Sequence, residues 1–343
     1  DIAPGGKSQE RASLEDVILW KRFEGALARI NPSAPDTVLS EAIRRFRRRL
    51  SEEPNATRCN RIFQEMLTEG IRIEHREGGK PKTFPVRIVS RDDLGLNDWL
   101  AVNQVEVWNA RNHRIPDIVV YLNGLPISVI ELKTFATESV HLLNAYKQLQ
   151  TYKDEISQLF MTNEILVASN GAFSRIGSLT AGWDRFMPWR SMEGEHESPE
   201  MELEFMIRDL FDKRMLVEYI HDFALFQDKR AGPVKIIAGY HQYHAAKAAV
   251  ARTVEEVQKH KEGRGRIGVV WHTQGSGKSL TMTFLTGLIA REANLRNPTV
   301  LVITDRKDLD GQLFQTFDAA KEYLRQEPMQ IEDKDDLVAT LAG

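Results

Sequence analysis

The sequence has 343 residues, 42% of them apolar and 28% charged, with a formal net charge of −3. That length suits roughly two domains of 100–200 residues, and the composition excludes a disordered chain or a uniformly basic one. A single cysteine, Cys59, excludes an internal disulfide and a cysteine zinc cluster and fits a cytoplasmic location, while no apolar run approaches the roughly 18 residues of a membrane span, so no membrane partner is expected.

In chain order, Asp1 to Arg11 holds Pro-Gly-Gly and scattered charges and reads as a loose end. Ser13 is placed to cap a helix through Val17, Leu19, Trp20, Phe23 and Leu27, which Pro32 stops. Asp36 can cap a second helix ending in Arg44, Arg45, Phe46, Arg47, Arg48 and Arg49. Five arginines in six residues invite contact with phosphates, or they form a solvated helix end favoured by the helix dipole. A third helix is expected from Asn55 to Glu69, ended by Gly70. Val86 to Val89 and Leu100 to Trp108 carry β-branched residues and read as strands.

Pro116 to Leu122 and Leu125 to Lys133 flank the pair Asn123-Gly124, a two-residue hairpin signal. Side chains alternate along a strand, so Glu131 and Lys133 share a face, with Ile130 and Leu132 pointing the other way, into a core. The hairpin returns Asp117 to the same place. Two carboxylates and an ammonium on one face are costly to bury unless a divalent cation joins them, and hard oxygen ligands suit Mg²⁺ or Mn²⁺. The chemistry expected is metal-assisted hydrolysis of a phosphodiester. A helix then runs from Thr137 to Ile156 with Leu142, Tyr146, Leu149 and Ile156 on one stripe, and Gln148 and Tyr152 beside it.

Glu164 to Ser169 reads as another strand, and Met201 to Phe226 as helical. Between them lies an acidic loop in which His196 sits beside Glu195 and Glu197, without metal-ligand spacing. A break near Gln227 to Pro233 separates two domains, residues 1–230 and 231–343. In the second, the buried-strand pattern Ile267 to Trp271 leads into His272-Thr273-Gln274-Gly275-Ser276-Gly277-Lys278-Ser279 and a helical run from Leu280. Strand, glycine loop and helix form a phosphate-binding loop in which backbone amides cradle phosphate, Lys278 reaches the β- and γ-phosphates and Ser279 binds Mg²⁺. His272 stands where the general pattern has glycine. Thr299 to Thr304 reads as a parallel strand ending at Asp305-Arg306, and no Asp-Glu pair closing an apolar strand follows before Gly343.

Pro116-Asp117, thirteen residues, then Glu131-Leu132-Lys133 resembles the PD-(D/E)xK nuclease motif, which implies that Asp117 and Glu131 hold the metal and Lys133 orients or deprotonates the attacking water. Gln148-x-x-x-Tyr152 is similar to an added motif of that superfamily's exonuclease-like branch, whose residues face the DNA backbone. Glu69 is a weaker candidate for a helical acid. Gly239-Tyr240-His241-Gln242-Tyr243 resembles the Q motif of superfamily 2 helicases, in which Gln242 would read adenine; Gln242 equally suits a helix start. Arg306 lies in a segment resembling their motif Ia, which contacts DNA. The implied fold is α/β, a nuclease domain with a mixed sheet followed by the start of a RecA-like domain with a parallel sheet.

Together, from about Asn60 to Asp310, these motifs resemble the motor (R) subunit of type I restriction enzymes. The resemblance implies Mg²⁺ and ATP as cofactors, double-stranded DNA as substrate, and methylation and specificity subunits as partners. A recombination or repair helicase-nuclease, or a non-catalytic nucleotide-binding module, would share parts of the pattern.

Overall fold

A computed structural model describes residues 2–6, 9–134, 140–190, 201–259 and 265–342. His196 and the start of the helix expected from Thr137 lie outside these residues. By packing, the chain divides into two units, Asp1–Ala224 with Pro233–Ile237, and Leu225–Gly232 with Ala238–Gly343. Among the described residues no helix is long and apolar enough to cross a membrane.

The first unit opens with helices α1 (Trp20–Ile30), α2 (Asp36–Glu52) and α3 (Ala56–Glu69). Their apolar stripes meet in an aromatic core, with ring centroids 4.6 Å apart for Phe23 and Phe46 and 6.5 Å for Phe46 and Phe63. The helix expected from Ser13 begins only at Trp20. The buried Arg11 guanidinium donates to the carbonyls of Leu14, Asp16 and Glu106, and Asp16 Oδ2 accepts from the amides of Ala12 and Ser13. Backbone groups that a helix would pair internally are committed elsewhere. Asn55 caps α3 by accepting from Arg58 N, and Gly70 follows it at φ +75°.

Strands β1 (Ile71–Glu77) and β2 (Lys80–Val86) form an antiparallel ribbon. The strand expected at Val86 to Val89 thus ends where it was placed to begin, because the Gly78-Gly79 turn pairs Ile71 with Val86. Strand β3 (Trp99–Asn103) stops short of the expected Trp108 at Gln104, whose φ is +52°. After the short pair β4 (Val107–Trp108) and β5 (His113–Arg114) come β6 (Ile118–Leu122) and β7 (Leu125–Leu132), helix α4 (Val140–Glu155), and strands β8 (Ile165–Ser169) and β9 (Ser174–Gly177). The five-stranded sheet has the order β3-β6-β7-β8-β9, with only the β7–β8 pair parallel. A parallel neighbour requires a crossover, and α4 supplies it, laying Leu142, Ala145 and Leu149 in the core.

The hairpin turn is buried. Asn123 and Gly124 take φ of +53° and +76°, Asn123 Nδ2 donates to Ile88 O at 2.8 Å, and Leu19 N donates to Gly124 O at 2.9 Å. A bulge at Val120/Tyr121 lets Pro126, which has no N–H, sit inside the ladder.

Helices α5 (Glu202–Arg208) and α6 (Lys213–Asp222) occupy the stretch expected to be helical from Met201 to Phe226. Asp212 accepts from the amides of Arg214 and Met215 and starts a new helix, and Ala224 to Phe226 belong to strand β10 (Ala224–Lys229), followed by β11 (Gly232–Ile237). Within the first unit Lys235 of β11 is fully buried, 2.7 Å from Glu164 and 2.9 Å from Asn60 Oδ1.

The second unit contains α7 (Tyr240–Gln258), α8 (Lys278–Arg291), α9 (Lys307–Asp318), α10 (Lys321–Leu324) and α11 (Lys334–Ala342). Leu313, Phe317 and Leu324 pack with Met282, Val302 and Tyr323. The parallel sheet expected here is not formed among the described residues. Ile267 to Trp271 and Thr299 to Thr304 carry no strand pairing, and Val269, Trp271 and Ile303 are 92%, 84% and 83% exposed. A helix satisfies its backbone within itself, whereas a strand needs a neighbour for every group.

Candidate active site

The register places three residues in a row. Asn103 faces Ile118, and Ile118 faces Ile130, so one step further along each strand Gln104, Asp117 and Glu131 lie side by side. Asp117 Oδ2 accepts from Leu132 N at 2.8 Å and its Oδ1 from Gln104 Nε2 at 3.0 Å. Lys133 Nζ donates to Glu131 Oε1 at 2.5 Å. Asp117, Glu131 and Lys133 are therefore brought together.

Glu131 is 3% exposed, and its Oε2 is buried without a hydrogen-bond partner. Burial pushes its carboxyl above the ordinary carboxylate range, opposed by Lys133, reinforced by Asp117, and opposed to a smaller extent by the nearby Tyr152 hydroxyl. A buried, unpaired carboxylate oxygen is costly. A divalent cation answers this need, so the donor set fits one. Among the described residues no group of three His, Cys, Asp or Glu side chains could hold a metal. Two carboxylates are nevertheless the usual protein share for Mg²⁺, which keeps waters and takes substrate phosphates as its other ligands.

Tyr152 was expected to face DNA. Three residues after Leu149 on α4, it turns into the core at 4% exposure, and its hydroxyl donates to Ile115 O at 3.4 Å. Burial first, then Glu131, raises its pKa, while Gln148 opposes the shift. Tyr152 thus belongs behind the acids, and Gln148 stays half-buried on the helix surface. Glu69 pairs with Arg72 at 3.2 Å. The arginine cluster is engaged within the chain: Arg44 with Glu41, Arg45 with Arg72 O, Arg47 with Glu24 and the Trp20 ring, Arg48 with Glu52, and Arg49 with Glu65. Arg306 is exposed, 3.7 Å from Asp308. The residues missed from sequence were Gln104 and the amide of Leu132, since neither a left-handed glutamine nor a backbone donor leaves a pattern.

In the second unit, Gly275 and Gly277 have φ of +81° and +79°, and α8 starts at Lys278. The first-turn amides of α8 point out of the helix end, a ready cradle for phosphate. Lys278 Nζ donates to His272 O and Thr273 O, both at 3.0 Å, folded over the loop that Gln274 and Ser276 complete. Gln242 is buried, accepting from Gly239 N at 2.9 Å and donating to Gly277 O at 3.1 Å. Both ends of its amide are engaged here, so reading adenine would require giving these contacts up. His241 Nε2 lies 2.9 Å from Ser276 O. A Cβ on Gly277 would meet Gln242 Nε2 at 2.7 Å. The loop residues fit a nucleotide phosphate.

The molecule is thus an α/β protein with a carboxylate-lysine cluster on a mixed sheet and a phosphate loop leading a helix. Residues 1–185 match the family described as Type I restriction enzyme R protein N terminus, and residues 241–343 match SWI2/SNF2 ATPase. The chain is 39% identical to the type I restriction enzyme HindI endonuclease subunit of Haemophilus influenzae, over 97% of this chain and 32% of that protein. It is 33% identical to the putative type I restriction enzyme MjaIXP endonuclease subunit of Methanocaldococcus jannaschii, over 90% of this chain and 31% of that protein. The chain belongs to the R protein family of type I restriction enzymes. It spans about a third of the length of these relatives.

Proposed function

We propose that residues 1–230 form a PD-(D/E)xK endonuclease domain and 231–343 the first part of a RecA-like superfamily 2 motor domain. On this reading the protein acts in the cytoplasm as the restriction subunit of a type I restriction-modification enzyme. It translocates double-stranded DNA with ATP and cleaves it with Mg²⁺, assembled with methylation and specificity subunits. The observation that carries the nuclease reading is the unpaired, buried Glu131 Oε2 beside Asp117 and Lys133.

Asp117 and Glu131 would hold Mg²⁺, which supplies Lewis-acid activation of the phosphodiester and of water. Lys133, held by Glu131, orients the attacking water and takes part in its deprotonation. Tyr152 keeps bulk water from the inner side of Glu131. Gln148 and Arg306 are exposed enough to meet the DNA backbone. In the motor domain, Thr273 to Ser279 would hold the ATP phosphates, with the Ser279 hydroxyl on Mg²⁺ and Gln242 on the base. The R protein family match favours this reading over a repair helicase-nuclease or a non-catalytic module. Anomalous scattering from crystals soaked in Mn²⁺ without nucleotide tests the metal assignment: a peak is expected between Asp117 and Glu131, and Mn²⁺ bound only elsewhere would refute it.

A further inference from the structure

Strand β3 ends in a strained residue. Gln104 has φ +52°, a left-handed conformation that long unbranched side chains rarely take. The other described non-glycine residues with positive φ are Asn123, in the hairpin turn, and Arg296, Asn297 and Arg325, beside helix ends. Gln104 is neither. Its backbone N–H donates to Asp117 O at 2.8 Å and its side-chain Nε2 to Asp117 Oδ1 at 3.0 Å, so one residue grips Asp117 at both backbone and carboxylate. The next amide, Val105 N, donates to Pro116 O at 3.2 Å, which secures the same backbone.

These contacts leave Asp117 little rotational freedom. Leu132 N fixes Oδ2 and Gln104 fixes Oδ1, each occupying one lone pair and leaving the other directed away. Strain retained beside a charge cluster that includes the buried Glu131 is a sign of function.

We infer that Gln104 is a positioning residue that presents the Asp117 carboxylate to the metal, an inference that rests on the nuclease reading of the Asp117–Glu131 pair. Partners behind metal ligands are typically worth roughly 10- to 100-fold in metal affinity.

The test is Mn²⁺ binding without nucleotide, followed by electron paramagnetic resonance, together with the thermal unfolding midpoint, for the full-length protein carrying this sequence. Gln104→Gly removes the amide and relieves the backbone. Its Mn²⁺ affinity is expected to fall by about 10-fold or more, with an unfolding midpoint equal to or above that of the parent. In DNA cleavage by the assembled enzyme, the apparent KM for Mg²⁺ should rise while kcat recovers at saturating Mg²⁺, a split that a purely structural role would not produce. Unchanged Mn²⁺ affinity, or a loss accompanied by a lower midpoint, would overturn the inference. Asp117→Asn separates the two levels. If it binds Mn²⁺ as the parent does, the nuclease reading itself fails; if it loses binding while Gln104→Gly does not, only the role of Gln104 fails.

Discussion

Glu131 sets the balance of the candidate site. Its carboxyl titrates above the ordinary range because burial disfavours the charged form, and Lys133 offsets only part of that. For a group whose folded pKa is raised, the stability it contributes is complete below the unfolded value and is lost as pH rises through the folded one. Metal-free protein should therefore lose stability as pH rises from about 4.5 through the raised pKa of Glu131. A cation that binds only the carboxylate reverses the trend, so the thermal stabilisation given by Mg²⁺ should grow with pH over the same window. Scanning calorimetry across pH, with and without Mg²⁺, checks this in wild type and in Glu131→Gln, where both the pH-dependent loss and the Mg²⁺ gain should shrink. A Mg²⁺ gain independent of pH would place the cation away from Glu131.

Among the elements, the β6–β7 hairpin matters most, and its turn was readable because Asn-Gly fits the positive φ values both positions need. What the pair could not reveal was burial. Leu19 O would lie 2.4 Å from a Cβ on Gly124, so Gly124→Ala meets both a left-handed backbone and a backbone clash. The expected cost is on the order of 3 kcal/mol, measured by denaturant unfolding, with Mn²⁺ affinity falling alongside. The arginine run on α2 was equally visible but read two ways. Arg44 and Arg48 are exposed in surface ion pairs; for a solvated helix end, neutralising them should leave the slope of log DNA affinity against log salt unchanged, whereas phosphate contact would flatten it by about two units. Asp117, Glu131 and Lys133 were legible because alternation and a tight turn suffice to bring them together. The late start of α1 and the left-handed Gln104 were not, because long-range partners decide them: the Arg11 guanidinium in one case, Asp117 in the other. The strands expected at Ile267 to Trp271 and Thr299 to Thr304 show the same limit, since apolar runs mark strand character and cannot supply a pairing neighbour.

Across the whole molecule, the carboxylate-lysine cluster lies in the first unit and the phosphate loop in the second. The residues named for the two sites do not overlap. Lys278→Ala should abolish nucleotide binding measured by calorimetry while leaving Mn²⁺ binding without nucleotide as in wild type. On the proposed reading, Asp117, Glu131 and Lys133 form the cleavage centre of an enzyme driven by a separate ATP site. Its most direct test is to measure double-stranded DNA cleavage and ATP hydrolysis in one preparation of the assembled enzyme carrying Lys133→Ala in the full-length protein. Cleavage is expected to disappear while ATP hydrolysis continues at the wild-type rate; cleavage at the wild-type rate would remove these three residues from the cleavage centre.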